Sequence, residues 1–184
     1  MKPLLAAFVG GASGPWRVQR IEAVVGEPLP AAERVAVLEG EKAGFPAEAD
    51  WVLRGVTSNE RYVNRAEREA LTARQAGLGR PEATCAALIP IRKSEAWWEL
   101  TQEARREIFE ERSHHISTSL DYLPAVARRL HHGRDLGEPF DFLTWFEYAP
   151  DYAEAFEELV GKLRETEDWT YVEHQVDVRL VRDE

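Results

Sequence analysis

The sequence contains few of the residues that crosslink chains or hold zinc. Cys85 is its one cysteine, so no intrachain disulfide can form, and nothing indicates an oxidising compartment. A lone cysteine and the lack of an HExxH motif also argue against zinc. A Walker A motif, a dinucleotide-binding glycine pattern and a GxSxG motif are all missing. The sequence therefore gives no support to P-loop, dinucleotide-binding or serine-nucleophile chemistry.

Basic residues are also scarce relative to acidic ones. The chain has 33 Asp and Glu against 23 Lys and Arg, which gives a formal net charge of −10. A surface of that sign repels phosphate backbones and anionic lipids, which disfavours nucleic acid and membranes as partners. No stretch approaches the ~20 apolar residues of a spanning helix. With 44% hydrophobic residues the composition is that of a folded globular protein, and we expect a soluble, cytoplasmic one.

Short apolar or alternating runs, separated by glycine and proline, dominate the first half. LLAAFVGG and WRVQRIEAVVG, on either side of the turn cluster GASGP, predict two β-strands. We therefore interpret the opening MKPLLAAFVGG as a first strand and not as a signal peptide, whose apolar region would be longer. In NRAEREALTARQ, Asn64 followed by Glu67 predicts a capped helix. The continuous apolar run ATCAALIPI, residues 83–91, is typical of a strand covered on both faces.

The second half alternates helical and strand patterns. TQEARREIF begins a predicted helix, and helical spacing recurs in a second one at Leu120, Leu123, Ala127 and Leu130. FDFLTWFEY and TYVEHQVDVRL alternate as strands do, and PDYAEAFEELVGKL carries a helical apolar stripe between them. Helices between alternating strands predict an α+β fold of antiparallel sheets covered on one face by helices. The LGRP turn at 78–81 indicates a boundary between residues 1–80 and residues 81–184.

Four of the five histidines lie in HHISTSLDYLPAVARRLHHGRDL, as doublets at 114–115 and 131–132. An arbitrary histidine doublet is most often a surface or half-buried feature with satisfied hydrogen bonds. A copper or iron site built from both doublets stays open, although the spacing matches no recognisable ligand pattern. For Arg128 and Arg129, which lie off the apolar stripe, the simplest interpretation is a surface salt bridge. The residues alone thus predict an α+β domain with a candidate histidine site.

Four phrases, in order and in spacing, resemble the chlorite dismutase family of haem enzymes: ALIPIRKSEAWWEL, HISTSLDYLPAVARRLHH, DFLTWFEY and TEDWTYV. The resemblance runs over residues 60–180 and, in looser form, over the first strands. It implies two ferredoxin-like halves that form a dimeric α+β barrel, with helices packed on the outer faces of the sheets. The length of the chain resembles the short lineage of the family, which implies a homodimer.

The resemblance also implies a site for haem b. The family's proximal iron ligand is the histidine before its TLxYL motif, which is His115 here, with His114 as the alternative in the doublet. An acceptor on the other ring nitrogen fixes the tautomer of such a ligand and raises its donor strength. The family places a glutamate there. The aligned residue is Asp168, one methylene shorter, so Glu167 or a bridging water is an alternative partner.

Further pocket residues follow from the same resemblance. The family's partners for the haem propionates are matched by Tyr62 and Lys93, the aromatic pair beside the haem by Trp97 and Trp98, and the distal lining by Gln75 and Leu123.

Arg128, thirteen residues after His115, matches the family's distal catalytic arginine. A guanidinium is always charged and offers a fork of donors, which suits a small anion such as chlorite. The implied reaction converts chlorite to chloride and dioxygen, through oxygen transfer to iron and O–O bond formation with the retained hypochlorite. Coproheme decarboxylase relatives generally lack the arginine, so Arg128 argues against that branch. A haem peroxidase and a haem-binding or sensing protein without turnover stay open, because His115 would serve both.

Overall fold

The computed structural model describes residues 3–43, 48–57, 62–74 and 77–183. The strands within these residues are β1 (Leu4–Gly11), β2 (Trp16–Val25), β3 (Arg34–Glu39), β4 (Trp51–Thr57), β5 (Cys85–Lys93), β6 (Val126–His132), β7 (Phe142–Tyr148) and β8 (Val172–Arg182). The helices are α1 (Arg65–Arg74), α2 (Glu95–Glu99), α3 (Gln102–Arg106), α4 (His115–Leu120) and α5 (Ala153–Arg164). A π-helical stretch, Glu107–Arg112, continues α3, and short 3₁₀ turns lie at Gly40–Ala43, Arg134–Leu136, Pro150–Tyr152 and Asp168–Tyr171.

The strands form a closed barrel in the order β1-β3-β2-β8-β5-β7-β6-β4. Every adjacent pair is antiparallel. Strands β1–β4 occupy one arc and β5–β8 the other. Each arc has the same internal order, in which the fourth strand is followed by the first, the third and the second. The α+β fold and the antiparallel sheets predicted from the sequence are therefore confirmed.

The barrel closes where β4 meets β6, through the single pair Val56 and His132. Gly55 permits this approach, because a Cβ at that position would lie 2.7 Å from the Cβ of His131. The barrel interior is the main core and draws buried side chains from both arcs, among them Phe8, Trp16, Leu88, Trp145 and Val178. Burial of side chains of this size supplies the main driving force for folding.

One predicted element is wrong. The helical spacing of Leu120, Leu123, Ala127 and Leu130 does not form a helix, because α4 ends at Leu120 and β6 begins at Val126. Pro124 lies between them, and a proline disfavours helix both at its own position and at the preceding residue. Strand β6 is covered on both faces, with His131 against Phe8 inside the barrel and Val126 in the cluster outside it. Apolar residues on both faces hide the two-residue period.

Helices cover the outer face of the second arc. Ala87, Ile89 and Phe146 of the sheet pack with Phe156 and Val160 of α5 in a second hydrophobic cluster. Helix α5 thus uses the apolar stripe that its sequence predicts. None of the helices within the described residues is both long and apolar enough to cross a lipid bilayer.

Candidate functional site

A cavity lies between the outer face of β5, β7 and β6 and the helices α4 and α5. It encloses about 1040 Å³ of space outside the protein atoms, counting the part open to solvent. Most of its wall is apolar, with Ile89, Ile91, Leu130, Phe142, Phe146, Leu159, Val160 and Leu163 among the lining residues. A large apolar cavity with a few convergent polar groups is typical of a cofactor site.

His115 is the first residue of α4 and lines this cavity. The buried Glu110 carboxylate accepts hydrogen bonds from the backbone N–H groups of Ile116 (2.6 Å) and Ser117 (3.2 Å), and a carboxylate at a helix N-terminus is favourable. The Phe109 ring stacks on the imidazole at 4.3 Å between centroids. His114 has a positive φ of 52° and is exposed. Of the two histidines in this doublet, His115 is therefore the one placed at the cavity.

Asp168 lies beside the imidazole and is paired with Lys93. One Asp168 carboxylate oxygen is 3.5 Å from Nδ1 of His115, a long separation for a hydrogen bond. Nζ of Lys93 donates to the other carboxylate oxygen (2.5 Å) and to the Asp168 carbonyl (2.8 Å). The Asp168 N–H donates to Ser113 Oγ at 2.9 Å, which ties this segment to the chain just before α4. The result is a buried relay in the order Lys93, Asp168, His115.

The relay keeps the carboxyl of Asp168 ionised. Burial would raise the pKa of Asp168, but its contact with His115 and the Lys93 charge outweigh burial and hold that pKa below its ordinary value. Burial lowers the pKa of Lys93 in spite of the attraction of Asp168. The Glu167 carboxylate does not join this group and instead pairs with Arg112 at 3.1 Å on the exposed surface. Of the two acids considered from the sequence, the structure thus places Asp168 against His115.

Tyr62 and Trp97 line the cavity, and each carries a buried polar atom. Tyr62 Oη and Trp97 Nε1 are buried and have no hydrogen-bond partner among the described residues. Their rings meet edge to face at 5.7 Å, and the Lys93 ammonium lies 4.4 Å from the centroid of the Trp97 ring. A buried donor without a partner costs stability, so these two atoms indicate a place where a ligand supplies acceptors.

Arg128 is half-buried on β6, opposite Phe146 of β7 in the strand register. Its side chain lines the same cavity as His115. Because side chains alternate along a strand, the next residue, Arg129, points to the other face, where it pairs with Glu39 at 2.5 Å. The surface salt bridge considered for both arginines is therefore found for Arg129, and strand alternation, not helical spacing, directs Arg128 to the cavity.

Three predicted pocket residues do not join this group. Trp98 stacks on Phe142 at 6.0 Å and donates to Asp141, and it is not among the residues that line the cavity. Leu123 lies in the turn between α4 and β6 and lines a separate surface depression, so its predicted place on the distal side stays a prediction. Gln75 lies outside the described residues, so its predicted position at the cavity stays a prediction.

Sequence reasoning missed several lining residues. The alternation of Phe142, Thr144 and Phe146 was visible as a shared strand face, although nothing in it indicated a cavity. Phe109, Trp169, Gln175 and Arg164 also line the cavity, and no local pattern distinguishes them from other residues of their elements. Trp169 Nε1 donates to Gln175 at 2.9 Å, and Arg164 donates to Asp177 at 2.7 Å, so these side chains are fixed by contacts distant in sequence.

The donor set fits an iron porphyrin. In the described part of the chain, no group of three or more His, Cys, Asp and Glu side chains is placed to hold a bare metal ion. A porphyrin iron needs fewer protein ligands, and one imidazole whose other nitrogen faces an acid is a suitable axial donor. Among the described lining residues, Lys93 is paired with Asp168 and Arg164 with Asp177, and Arg128 adds a further positive charge, which suits a carboxylate-bearing ligand in a protein of net charge −10.

Comparison with known proteins shows which family the chain is similar to. The family model described as chlorite dismutase matches residues 31–182. A crystal structure of dimeric chlorite dismutases from Nitrobacter winogradskyi is 60% identical, with a TM-score of 0.90 over 97% of this chain and 99% of that chain. A mutant chlorite dismutase from Candidatus Nitrospira defluvii is 17% identical with a TM-score of 0.70 over 98% of this chain and 91% of that chain, a likeness of fold alone.

A curated chlorite dismutase from Ideonella dechloratans is 39% identical over 62 residues, which is 34% of this chain. The match spans about a fifth of that relative, 20% of its length. With the family model over most of the chain and a 60% identical structure over nearly all of it, the chain belongs to the chlorite dismutase family, a family of enzymes. The family resemblance found in the four sequence phrases is thereby confirmed.

Proposed function

We propose that this protein binds haem b in the cavity and converts chlorite to chloride and dioxygen. The observation that carries the proposal is the placement of His115, backed by the buried Asp168, in one cavity with Arg128. An imidazole with an acid behind it and a fixed cation in the same apolar space are the two groups this chemistry requires. The activity named for the relatives supports the assignment.

His115 is the proposed iron ligand. Its Nδ1 faces the Asp168 carboxylate, which favours the tautomer with the proton on Nδ1 and leaves Nε2 to bind iron. Lys93 is engaged with Asp168, so its proposed part is to hold that carboxylate ionised in place, and only secondarily to attract a propionate. The Tyr62 phenol has no such engagement among the described residues and is the better propionate donor. Trp97 supplies the aromatic wall.

Arg128 is the proposed catalytic residue. Its guanidinium docks the chlorite anion and then retains the hypochlorite formed from it, because a permanent positive charge in an apolar cavity attracts both. Haem iron, when bound, supplies the redox chemistry that breaks a Cl–O bond and forms the O–O bond. The reaction is balanced as chlorite to chloride plus dioxygen and needs no external electrons. The local charge of Arg128 opposes the repulsion expected from the net charge of −10.

The finer architecture belongs to the same proposal. The repeated strand order of the two arcs supports two ferredoxin-like halves, residues 1–80 and 81–184, within one barrel. The second half has helices between its first two and its last two strands, as a complete ferredoxin-like unit does.

A homodimer is supported by the dimeric Nitrobacter winogradskyi structure. We place the protein in the cytoplasm, because a single cysteine gives no sign of an oxidising compartment.

An oxygen electrode tests the function. Purified protein loaded with haem b should release dioxygen when chlorite is added. Arg128→Ala should keep the haem and its Soret band but lose at least about 100-fold in dioxygen release, the usual scale for removing one fixed charge that stabilises a transition state. His115→Ala should lose haem affinity. Haem binding without dioxygen release in the wild type would favour a peroxidase or a haem-binding protein, and full activity of Arg128→Ala would reject the role of Arg128.

A further inference from the structure

We propose that the ion pair between Glu67 and Arg106 is a positioning device that holds the Tyr62 phenol at the cavity and thereby slows haem release. The inference rests on the proposed function, because it concerns the retention of the haem assigned above. It adds Glu67 and Arg106, neither of which lines the cavity, to the residues that matter for cofactor binding.

The first observation is how the Tyr62 backbone is held. Tyr62 has a φ of 64°, a left-handed conformation that is uncommon and costly for a residue with a bulky side chain. One guanidinium N–H of Arg106 donates to the carbonyl oxygen of Tyr62. The same guanidinium binds both carboxylate oxygens of Glu67, at 2.6 and 2.5 Å. Arg106 therefore links α3 to α1 through Glu67. It also links α3 to Tyr62, which lies just before α1.

The pair is well placed to act as a tie. The side chains of Arg106 and Glu67 are 23% and 18% exposed. By contrast, Arg65 and Glu69, which form an ion pair within α1, are 92% and 67% exposed. Bidentate contact between a guanidinium and a carboxylate fixes orientation as well as distance. The hydrogen bond from Arg106 holds the pKa of Glu67 below its ordinary value, so the pair stays ionised at neutral pH.

The second observation is how the Tyr62 ring is held. The ring packs against Trp97 and against Phe109, whose centroid lies 5.6 Å from that of Tyr62. Phe109 lies in the π-helical stretch that continues α3, three residues after Arg106, so one continuous segment supplies both contacts with Tyr62. Phe109 also stacks on His115. The segment 102–112 thus holds Tyr62 through its carbonyl and through its ring, and it contacts the proposed iron ligand as well.

Helix stabilisation alone does not account for Arg106. The first turn of α1 already has its capping box, in which Asn64 Oδ1 accepts from Glu67 N–H and the Glu67 carboxylate accepts from Asn64 N–H, both at 2.9 Å. What Arg106 adds is the contact with Tyr62. The buried phenol, which has no acceptor among the described residues, is thereby held at the cavity, where it would donate a hydrogen bond to a haem carboxylate.

Haem transfer from the loaded protein to excess apomyoglobin tests the proposal. Tyr62→Phe should raise the rate of haem loss about tenfold, the effect of one hydrogen bond to a charged acceptor. Arg106→Ala should raise the rate by a similar factor. The double variant should lose haem no faster than either single variant, about tenfold faster than the wild type, since both changes remove the same contact. Arg106→Lys, which keeps one donor and the charge, should fall between the wild type and Arg106→Ala. Arg65→Ala is the matched control and should leave the rate unchanged.

The outcomes separate this inference from the function on which it rests. A wild-type protein that takes up no haem rejects the proposed function. If Arg106→Ala retains haem as the wild type does, only the positioning role is rejected. A double variant that loses haem about 100-fold faster also rejects that role, because the effects of the two substitutions would then be independent. Hydrogen exchange over residues 62–74 supplies a readout that needs no haem. It should accelerate in Arg106→Ala and stay unchanged in Tyr62→Phe, and unchanged exchange in Arg106→Ala also rejects the tie.

Discussion

Replacement of Lys93 by methionine tests the buried relay behind His115. The side chains of Lys93 and Asp168 are 7% and 8% exposed. The Lys93 ammonium donates hydrogen bonds to both the carboxylate and the backbone carbonyl of Asp168. Methionine keeps most of the volume and none of the charge. It leaves a buried carboxylate whose remaining neighbour is the His115 imidazole at 3.5 Å. Removal of one partner from a buried ion pair costs about 3–5 kcal/mol, so we expect a loss of that size in the free energy of unfolding.

The assay is urea unfolding of the haem-free protein, followed by circular dichroism and tryptophan fluorescence, since bound haem would add its own stabilisation. The double variant Lys93→Met with Asp168→Leu removes both charges and should recover most of the loss. Arg112→Met is the control, because Arg112 is 50% exposed and pairs with Glu107 on the surface, where an ion pair is screened by water and contributes little. If Lys93→Met lost no more than Arg112→Met, the relay would not be a buried ion pair.

Two further predictions concern the relay and the barrel interior. In haem-loaded protein, Asp168→Asn should raise the iron reduction potential in spectroelectrochemical titration, because a neutral partner lowers the donor strength of His115; an unchanged potential would point to water or Glu167 as the partner. Burial lowers the pKa of His131 from 6.5 to about 4, so the unfolded chain binds a proton between these values that the folded protein does not. The free energy of unfolding should therefore fall by about 3 kcal/mol as the pH drops from 6.5 to 4. His131→Leu should remove this fall. If the fall persisted in that variant, the burial of His131 would not be its cause.

The pH window of His131 is distinct from that of the buried acids. Asp168 and Asp177 have pKa values below the ordinary 3.8, so most of the stability that they contribute is lost as the pH falls from about that ordinary value to their lowered values. His131 acts above pH 4, where it is buried beside Phe8 with its Nδ1 bonded to the Leu143 carbonyl at 3.1 Å. The difference in pH dependence between the wild type and His131→Leu from pH 4 to 6.5 therefore reports the histidine separately from the acids.

Local patterns predicted most of the elements. Alternation in TYVEHQVDVRL corresponds to β8, and the continuous apolar run at 83–91 corresponds to most of β5, which is indeed covered by the barrel interior on one face and by α5 on the other. The capping box of Asn64 and Glu67 forms as predicted. These features succeed because period and capping are properties of one element and its immediate neighbours.

The candidate site was predictable in part. His115 and Arg128 were identified through the family resemblance, and the structure places both at one cavity. The place of Leu123 was not predictable in this way, because it lies in a turn, whose course depends on the elements that it connects. The choice between Asp168 and Glu167 could not be made from the sequence, since adjacent residues differ only in the direction that the surrounding fold gives them.

The sequence by itself determined the α+β pattern, because period and capping depend on residue types at short spacing. Its resemblance to the family over most of the chain pointed to His115 ahead of His114. The tertiary structure alone decided that Arg128 lies on a strand, that Lys93 pairs with Asp168 across 75 residues of chain, and that Arg106 reaches Tyr62. The physical reason is that burial and pairing between distant residues arise only when the barrel closes and the helices pack on its outer face. No period within a single element encodes those distances.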